Sequence, residues 1–175
     1  MAIKHILIDL DGTLTDPKVG IHTSIRYAME KLGYPLAADL DIDWTIGPPL
    51  KPSLAKLLAT QDDALAEQAL LAYRERFSVV GLFENEVYPS VAKTLSALKK
   101  EGYRLFVATA KPTIYAKRIL DHFELSQYFV HIYGSELTGE RTNKADLIHY
   151  ILEHEQLNPE ECLMVGDRQS VSYTH

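Results

Sequence analysis

The apolar positions begin as a continuous run, become helical in period, and then alternate between the two patterns. Ile6, Leu7 and Ile8 beside Leu10 have the pattern of a buried strand, and Gly12 supplies the turn that ends it. After Asp16 and Pro17 the period turns helical. Ile21, Ile25, Ala28 and Leu32 predict one helix with Gly33 as its C-cap, and Leu50, Leu54, Leu57 and Leu58 predict a second that starts near Pro49 or Pro52. Leu65, Ala69, Ala72, Tyr73 and Phe77 predict a third, behind Asp62 as N-cap. Between the first two helices, Gly47, Pro48 and Pro49 make residues 44–49 a defined loop. It reads equally as a substrate-facing loop or as a rigid turn with Trp44 anchored in the core.

From Tyr88 and Pro89 onward helix and strand alternate. Val91, Leu95 and Leu98 give a helix closed by Gly102, and residues 104–108 a short apolar strand. Pro112 opens another helix, 129–133 is a third strand, 143–155 a helix, and 162–165 a fourth strand. Strands separated by helices of this length call for parallel pairing through right-handed crossovers, hence an open α/β sheet. In such sheets ligands bind at the carboxyl ends of the strands, where the strand order reverses. The helical block enters just after the first strand. Residues 1–16 and 83–175 are therefore expected to form the core, and 17–82 an inserted helical cap over the same crevice. No internal repeat or low-complexity stretch appears.

The polar residues that punctuate the strand ends carry the chemistry. Asp9 and Asp11 follow the first strand, where two uncompensated carboxylates are costly unless a cation or a reaction uses them. A divalent metal and a phosphate substrate meet that need; the plainer reading is that the acids cap the following turn. Asp39, Asp41 and Asp43, and the Asp62-Asp63 pair, lack an apolar strand before them and read as solvated or capping. Thr109 ends the second strand in Thr-Ala-Lys-Pro, and a proline suited to the first helical position leaves backbone N–H groups free to bind an oxyanion. Alternatively Thr109 caps that helix. Lys111 reads equally as a phosphate contact or as a solvated lysine. Lys144 follows Thr142 and Asn143, either of which can cap a helix and hold Lys144 in its first turn. A cation there gains nothing from the helix dipole, which favours a functional role. Arg141 is a secondary candidate or a surface residue. Gly166 permits a sharp exit from the fourth strand, and Asp167 adds a third carboxylate.

The seven residues from Asp9 to Thr15, with Asp-x-Asp-x-Thr matched by Asp9, Asp11 and Thr13, resemble the first motif of the haloacid dehalogenase superfamily. Thr109, Lys144 and Gly166-Asp167-Arg168 match its second, third and fourth motifs. The resemblance is closest to the phosphoglycolate-phosphatase-like branch and implies a Rossmann-like core that hydrolyses a small phosphorylated metabolite with Mg²⁺. Asp9 would be the nucleophile and Asp11 the acid and base. Thr109, the Ala110 backbone and Lys144 would hold the phosphoryl group. Asp9, the Asp11 carbonyl and Asp167 would bind the metal. Gly47, Pro48, Lys111 and Arg141 are further substrate-contact candidates. A nucleotidase or a phosphosugar mutase on the same scaffold is the alternative. The fourth motif of the family continues to another Asp where this chain has Val171, and the tail from Gln169 has no helical or strand pattern. The chain thus reads as shortened, with its fourth strand an uncovered sheet edge. That edge opens the alternative of an impaired chain that binds or self-associates.

Composition removes other classes. At 175 residues, with 46% hydrophobic and 24% charged residues, the chain holds one substantial core or a core with a small inserted module. No apolar run is long enough to span a bilayer and no targeting segment is visible, so a cytoplasmic protein is expected. A net charge of −6 argues against a nucleic-acid surface. The single cysteine, Cys162, excludes an internal disulfide and a cysteine-based zinc site, and its apolar run makes it a core thiol. His149 and His154 are not spaced to share a metal and read as surface residues.

Overall fold

The computed structural model describes residues 2–167; the expectations placed on Arg168, Val171 and the tail from Gln169 lie outside the described residues. In chain order the elements are β1 (His5–Ile8), β2 (Thr15–Asp16), α1 (Lys18–Lys31), α2 (Leu50–Leu57), α3 (Asp63–Arg76), β3 (Glu86–Val87), α4 (Val91–Lys100), β4 (Arg104–Pro112), α5 (Thr113–His122), β5 (His131–Ser135), α6 (Lys144–His154) and β6 (Cys162–Val165). They fall into two units, 1–16 with 87–175 and 17–86. Among the described residues no helix is long and apolar enough to cross a membrane.

In the first unit a parallel sheet has the order β5-β4-β1-β6. Leu7 lies opposite Phe106 on β4 and Met164 on β6, and Ala108 opposite Tyr133 on β5. Strand side chains alternate between faces, so Leu7, Phe106, Ala108 and Tyr133 share one face, where Leu147, Ile151 and Leu157 complete a buried cluster. The chain steps from β4 outward to β5 and then back across β1 to β6. Right-handed crossovers in opposite directions put α5 and α6 on opposite faces. The reversal makes the carboxyl ends around β1 the place where polar residues collect. Among the described residues β6 is an outer strand, and its Leu163 and Val165 are exposed.

Local chemistry shifts several boundaries. β4 does not stop at Ala108 but continues extended to Pro112, which pairs with Ser135 past an irregularity in register. Pro112 therefore precedes α5 as its N-cap, at ψ 132°, and is not its first helical residue. β5 starts at His131, two residues after the expected start, because Phe129 ends a short 3₁₀ turn over Ser126–Tyr128. Cys162 is half-buried, with its thiol donating to the Asn158 carbonyl at 3.3 Å, and is not a core thiol.

The second unit is helical. Ile21, Ile25, Ala28 and Met29 form the buried face of α1, and Ala66, Ala69, Leu70 and Tyr73 that of α3, the helix on which both α1 and α2 pack. Asp62 caps α3 by accepting from the Ala64 N–H at 2.9 Å. α3 runs on into a π-helical turn, Phe77–Gly81, that the apolar spacing does not announce. That turn brings the backbone of Gly81 against α1: a Cβ built on Gly20 would lie 2.0 Å from the Gly81 carbonyl oxygen. Gly20 N–H donates to the Glu84 carbonyl at 2.9 Å, and Arg76 makes two bonds to the Glu84 carboxylate, at 2.7 and 2.9 Å. Trp44 is not a core anchor. It is 37% exposed with the Lys56 ammonium 4.3 Å from its ring centre, while Ile42 and Thr45 on either side are buried. Among the other spaced acids, Asp41 accepts from the Asp43 N–H and Asp43 pairs with Lys18.

Candidate active site

Asp9 sits one residue past β1, yet its N–H still donates to the Val165 carbonyl at 2.9 Å, so its backbone is fixed by β6. Its Oδ1 accepts from the Leu10 N–H at 2.8 Å. Its Oδ2 faces Lys144, whose ammonium is 2.7 Å away and also donates to the Ala108 carbonyl at 2.8 Å. Asn143 makes that placement possible: it caps α6 by accepting from the Ala145 N–H at 2.8 Å, which sets Lys144 as the first helical residue. Asp9 is only 7% exposed. Removing one partner from a buried pair of this kind costs about 3–5 kcal/mol, because an uncompensated charge remains.

Asp11 lies in the turn that follows. Gly12 N–H donates to the Thr15 carbonyl and Leu14 N–H to the Leu10 carbonyl, closing the loop tightly. Asp11 Oδ2 is 3.1 Å from the Lys111 ammonium, while its Oδ1 is buried with no hydrogen-bond partner among the described residues. Burial pushes the Asp11 carboxyl up from its ordinary range; Lys111 pulls it back, and the charge of Asp9 adds to the rise. Lys111, at 8% exposure, is not a solvated lysine.

Gly12 has φ +80°, the left-handed region, and a Cβ there would lie 2.4 Å from Asp167 Oδ2. The absence of a side chain thus lets the Asp167 carboxylate lie over the first turn. Thr109 is fully buried and its hydroxyl accepts from the Lys111 N–H at 3.2 Å. It does not cap α5, which begins four residues later. The Ala110 carbonyl accepts from Ser135 Oγ at 2.8 Å. Arg141 is held by Glu136, pairs with Glu140 at 3.9 Å and lies 4.5 Å over the Tyr150 ring; among the described residues these are its partners, and neither Asp9 nor Asp11 is. Gly47 and Pro48 belong to the helical unit, where Gly47 has φ +94°.

Among the described residues no three His, Cys, Asp or Glu side chains gather as a metal cage. A cation bound here would have to draw on backbone oxygen as well. The donor set, carboxylates and backbone carbonyls, is oxygen only, which suits a hard divalent ion. Two residues beside the site were not singled out from sequence. Ser135 is the small polar residue at the end of β5. Tyr88 has its phenol pushed up by burial and then by the charges of Asp16, Asp167 and Asp11. A hydroxyl at the end of a third parallel strand was the available signal for Ser135; for Tyr88 there was none.

The chain is similar to known proteins over most of its length. A model of the haloacid dehalogenase-like hydrolases matches residues 3–170. A 5'-nucleotidase of Pseudomonas aeruginosa is 45% identical over 164 residues, which are 94% of this chain and 74% of that protein. A phosphoglycolate phosphatase of Vibrio vulnificus is 30% identical over 176 residues, 96% of this chain and 77% of that protein. The crystal structure of a predicted phosphatase from Clostridium acetobutylicum, 38% identical, superimposes with a TM-score of 0.92 over 98% of this chain and 79% of its own.

Proposed function

The chain belongs to the haloacid dehalogenase-like hydrolase family and is a phosphatase, and from that premise we propose that it hydrolyses a small phosphomonoester through an aspartyl-phosphate on Asp9. The observation that carries this reading is the pair of buried carboxylates two residues apart, each met by its own lysine. The Asp9 carboxylate attacks phosphorus and the ester P–O bond breaks. Asp11, whose pKa burial raises, acts as the acid and gives a proton to the leaving oxygen. Asp11 then takes a proton from water, whose oxygen attacks phosphorus and releases Asp9 and inorganic phosphate. Lys144 and the Thr109 hydroxyl, with the Ala110 backbone, stabilise the charge on the transferring group. The Asp9 and Asp167 carboxylates and the Asp11 carbonyl would hold Mg²⁺, which when bound supplies further neutralisation of phosphoryl charge. The helical unit, with Gly47 and Pro48 in its first loop, is the cap that selects the substrate.

The relatives support two substrates. Phosphoglycolate is suggested by the 30% identical enzyme and a nucleoside 5'-monophosphate by the 45% identical one, and the higher identity favours the nucleotide. Turnover of nucleoside monophosphates, phosphoglycolate and sugar phosphates with Mg²⁺, compared with Asp9→Asn, tests the whole reading. Loss of phosphate release by at least about a hundredfold in the variant is expected, in line with loss of a covalent nucleophile. Equal rates in the two proteins would show that no catalysis runs through Asp9. Self-association is a separate reading, carried by the exposed Leu163 and Val165 on β6; a monomer by light scattering would remove it.

A further inference from the structure

We infer that Lys111 is a positioning residue for Asp11, which it holds by one carboxyl oxygen so that the other does the acid and base work. The inference rests on the reading of Asp11 as the acid. The backbone that carries Lys111 is clamped. Its N–H donates to Thr109 Oγ1 at 3.2 Å. From the β5 side, Gly134 approaches so closely that an added Cβ would be 2.4 Å from the Lys111 carbonyl oxygen. Ser135 Oγ holds the preceding carbonyl, that of Ala110, at 2.8 Å. The lysine therefore leaves β4 from a fixed point, and its ammonium reaches Asp11 Oδ2 at 3.1 Å with both side chains buried.

Asp11 stands in the turn after β1, where its backbone is bridged to Thr15, and Lys111 is the partner of its carboxylate. A carboxyl there is free to rotate about its side-chain bonds. With Oδ2 held by Lys111, the orphaned Oδ1 is the oxygen left to meet a leaving group or a water. A general acid must stand within hydrogen-bond reach of the atom it protonates, so holding the carboxyl in one orientation acts on the proton-transfer step and not on phosphate affinity. A lysine that bound only phosphate would show the opposite signature, in KM.

The test compares kcat and KM on 4-nitrophenyl phosphate, whose leaving group departs without a proton, and on the alkyl phosphate that the substrate panel selects. Lys111→Met is expected to lower kcat for the alkyl ester about tenfold more than for the aryl ester, a part of the total that general acid catalysis contributes. Lys111→Gln, which keeps a donor for Oδ2, should recover part of that difference. Asp11→Asn should show the same bias more strongly, and adding Lys111→Met to it should produce no further bias; that double variant also leaves no buried charge unpaired and so keeps the measurement available if Lys111→Met alone fails to fold. Equal loss on the two esters, a change confined to KM, or multiplying losses in the double variant would overturn the role of Lys111 while Asp11 kept its own. An Asp11→Asn enzyme without leaving-group bias would overturn the reading of Asp11 itself.

Discussion

Gly12 does two things that only glycine can do together. It turns the chain at φ +80°, and it leaves room for the Asp167 carboxylate 2.4 Å from where a Cβ would stand. Gly12→Ala is therefore expected to push the Asp167 carboxylate from its place over the first turn and, under the proposed function, to lower kcat at least about tenfold, a loss seen when a charged group is misplaced by an ångström or so. Steady-state kinetics beside a thermal melt check this, since a variant that only lost stability would keep its kcat below the melting range. At this scale the legible residues were those whose meaning lies in neighbouring positions. Asp9, Asp11 and Gly12 stand together after an apolar run, and Lys144 stands where a helix dipole disfavours it. Lys111 was ambiguous because its partner lies on another strand's loop, and nothing near it in the chain says that it is buried.

The helical unit shows how an element can depend on a contact that periodicity does not encode. α3 was legible from its apolar spacing and from Asp62, whose carboxylate caps it. The π-helical turn after it was not, because residues 77–81 read simply as more apolar helix. That turn advances the chain by one residue and delivers the Gly81 carbonyl to Gly20 on α1, so both glycines are required by the approach of two backbones. Gly20→Ala should destabilise the protein by about 1–3 kcal/mol, the usual cost of overpacking, although alanine is the better helix former. Denaturant unfolding followed by far-UV circular dichroism measures it; a neutral or stabilising result would mean that α1 can shift outward at no cost. The strand ends in the core unit were misjudged for a related reason. β4 runs on through Pro112 because Ser135 pairs with it, and a pairing partner cannot be read from the strand's own residues.

For the molecule as a whole, the parallel sheet and its helices followed from the alternation of apolar periods, and a central β1 follows from a chain that steps out to β5 and returns to β6. Centrality also fixes the pH response of the fold. His5, on β1, is buried with its Nδ1 unpartnered among the described residues. Burial lowers its pKa from 6.5, Arg104 and Lys4 lower it further, and Glu161 and Glu155 oppose them. A histidine with a depressed folded pKa binds fewer protons folded than unfolded, so its contribution is present above 6.5 and is lost as pH falls through that value toward the folded one. His22 and His131 shift the same way. Melting temperature is expected to fall between about pH 7 and about pH 5, less steeply in His5→Gln, with the remaining slope due to the other two; parallel profiles would assign the slope elsewhere. The two lysine–aspartate pairs have a consequence of a different kind. Each buried acid is met by a lysine of the chain itself, so neither Asp9 nor Asp11 needs a bound ion in order to have a partner in the folded protein. Under the proposed chemistry, chelation of divalent ions is expected to stop phosphate release while the chain stays folded, which a thermal melt run beside the activity assay checks.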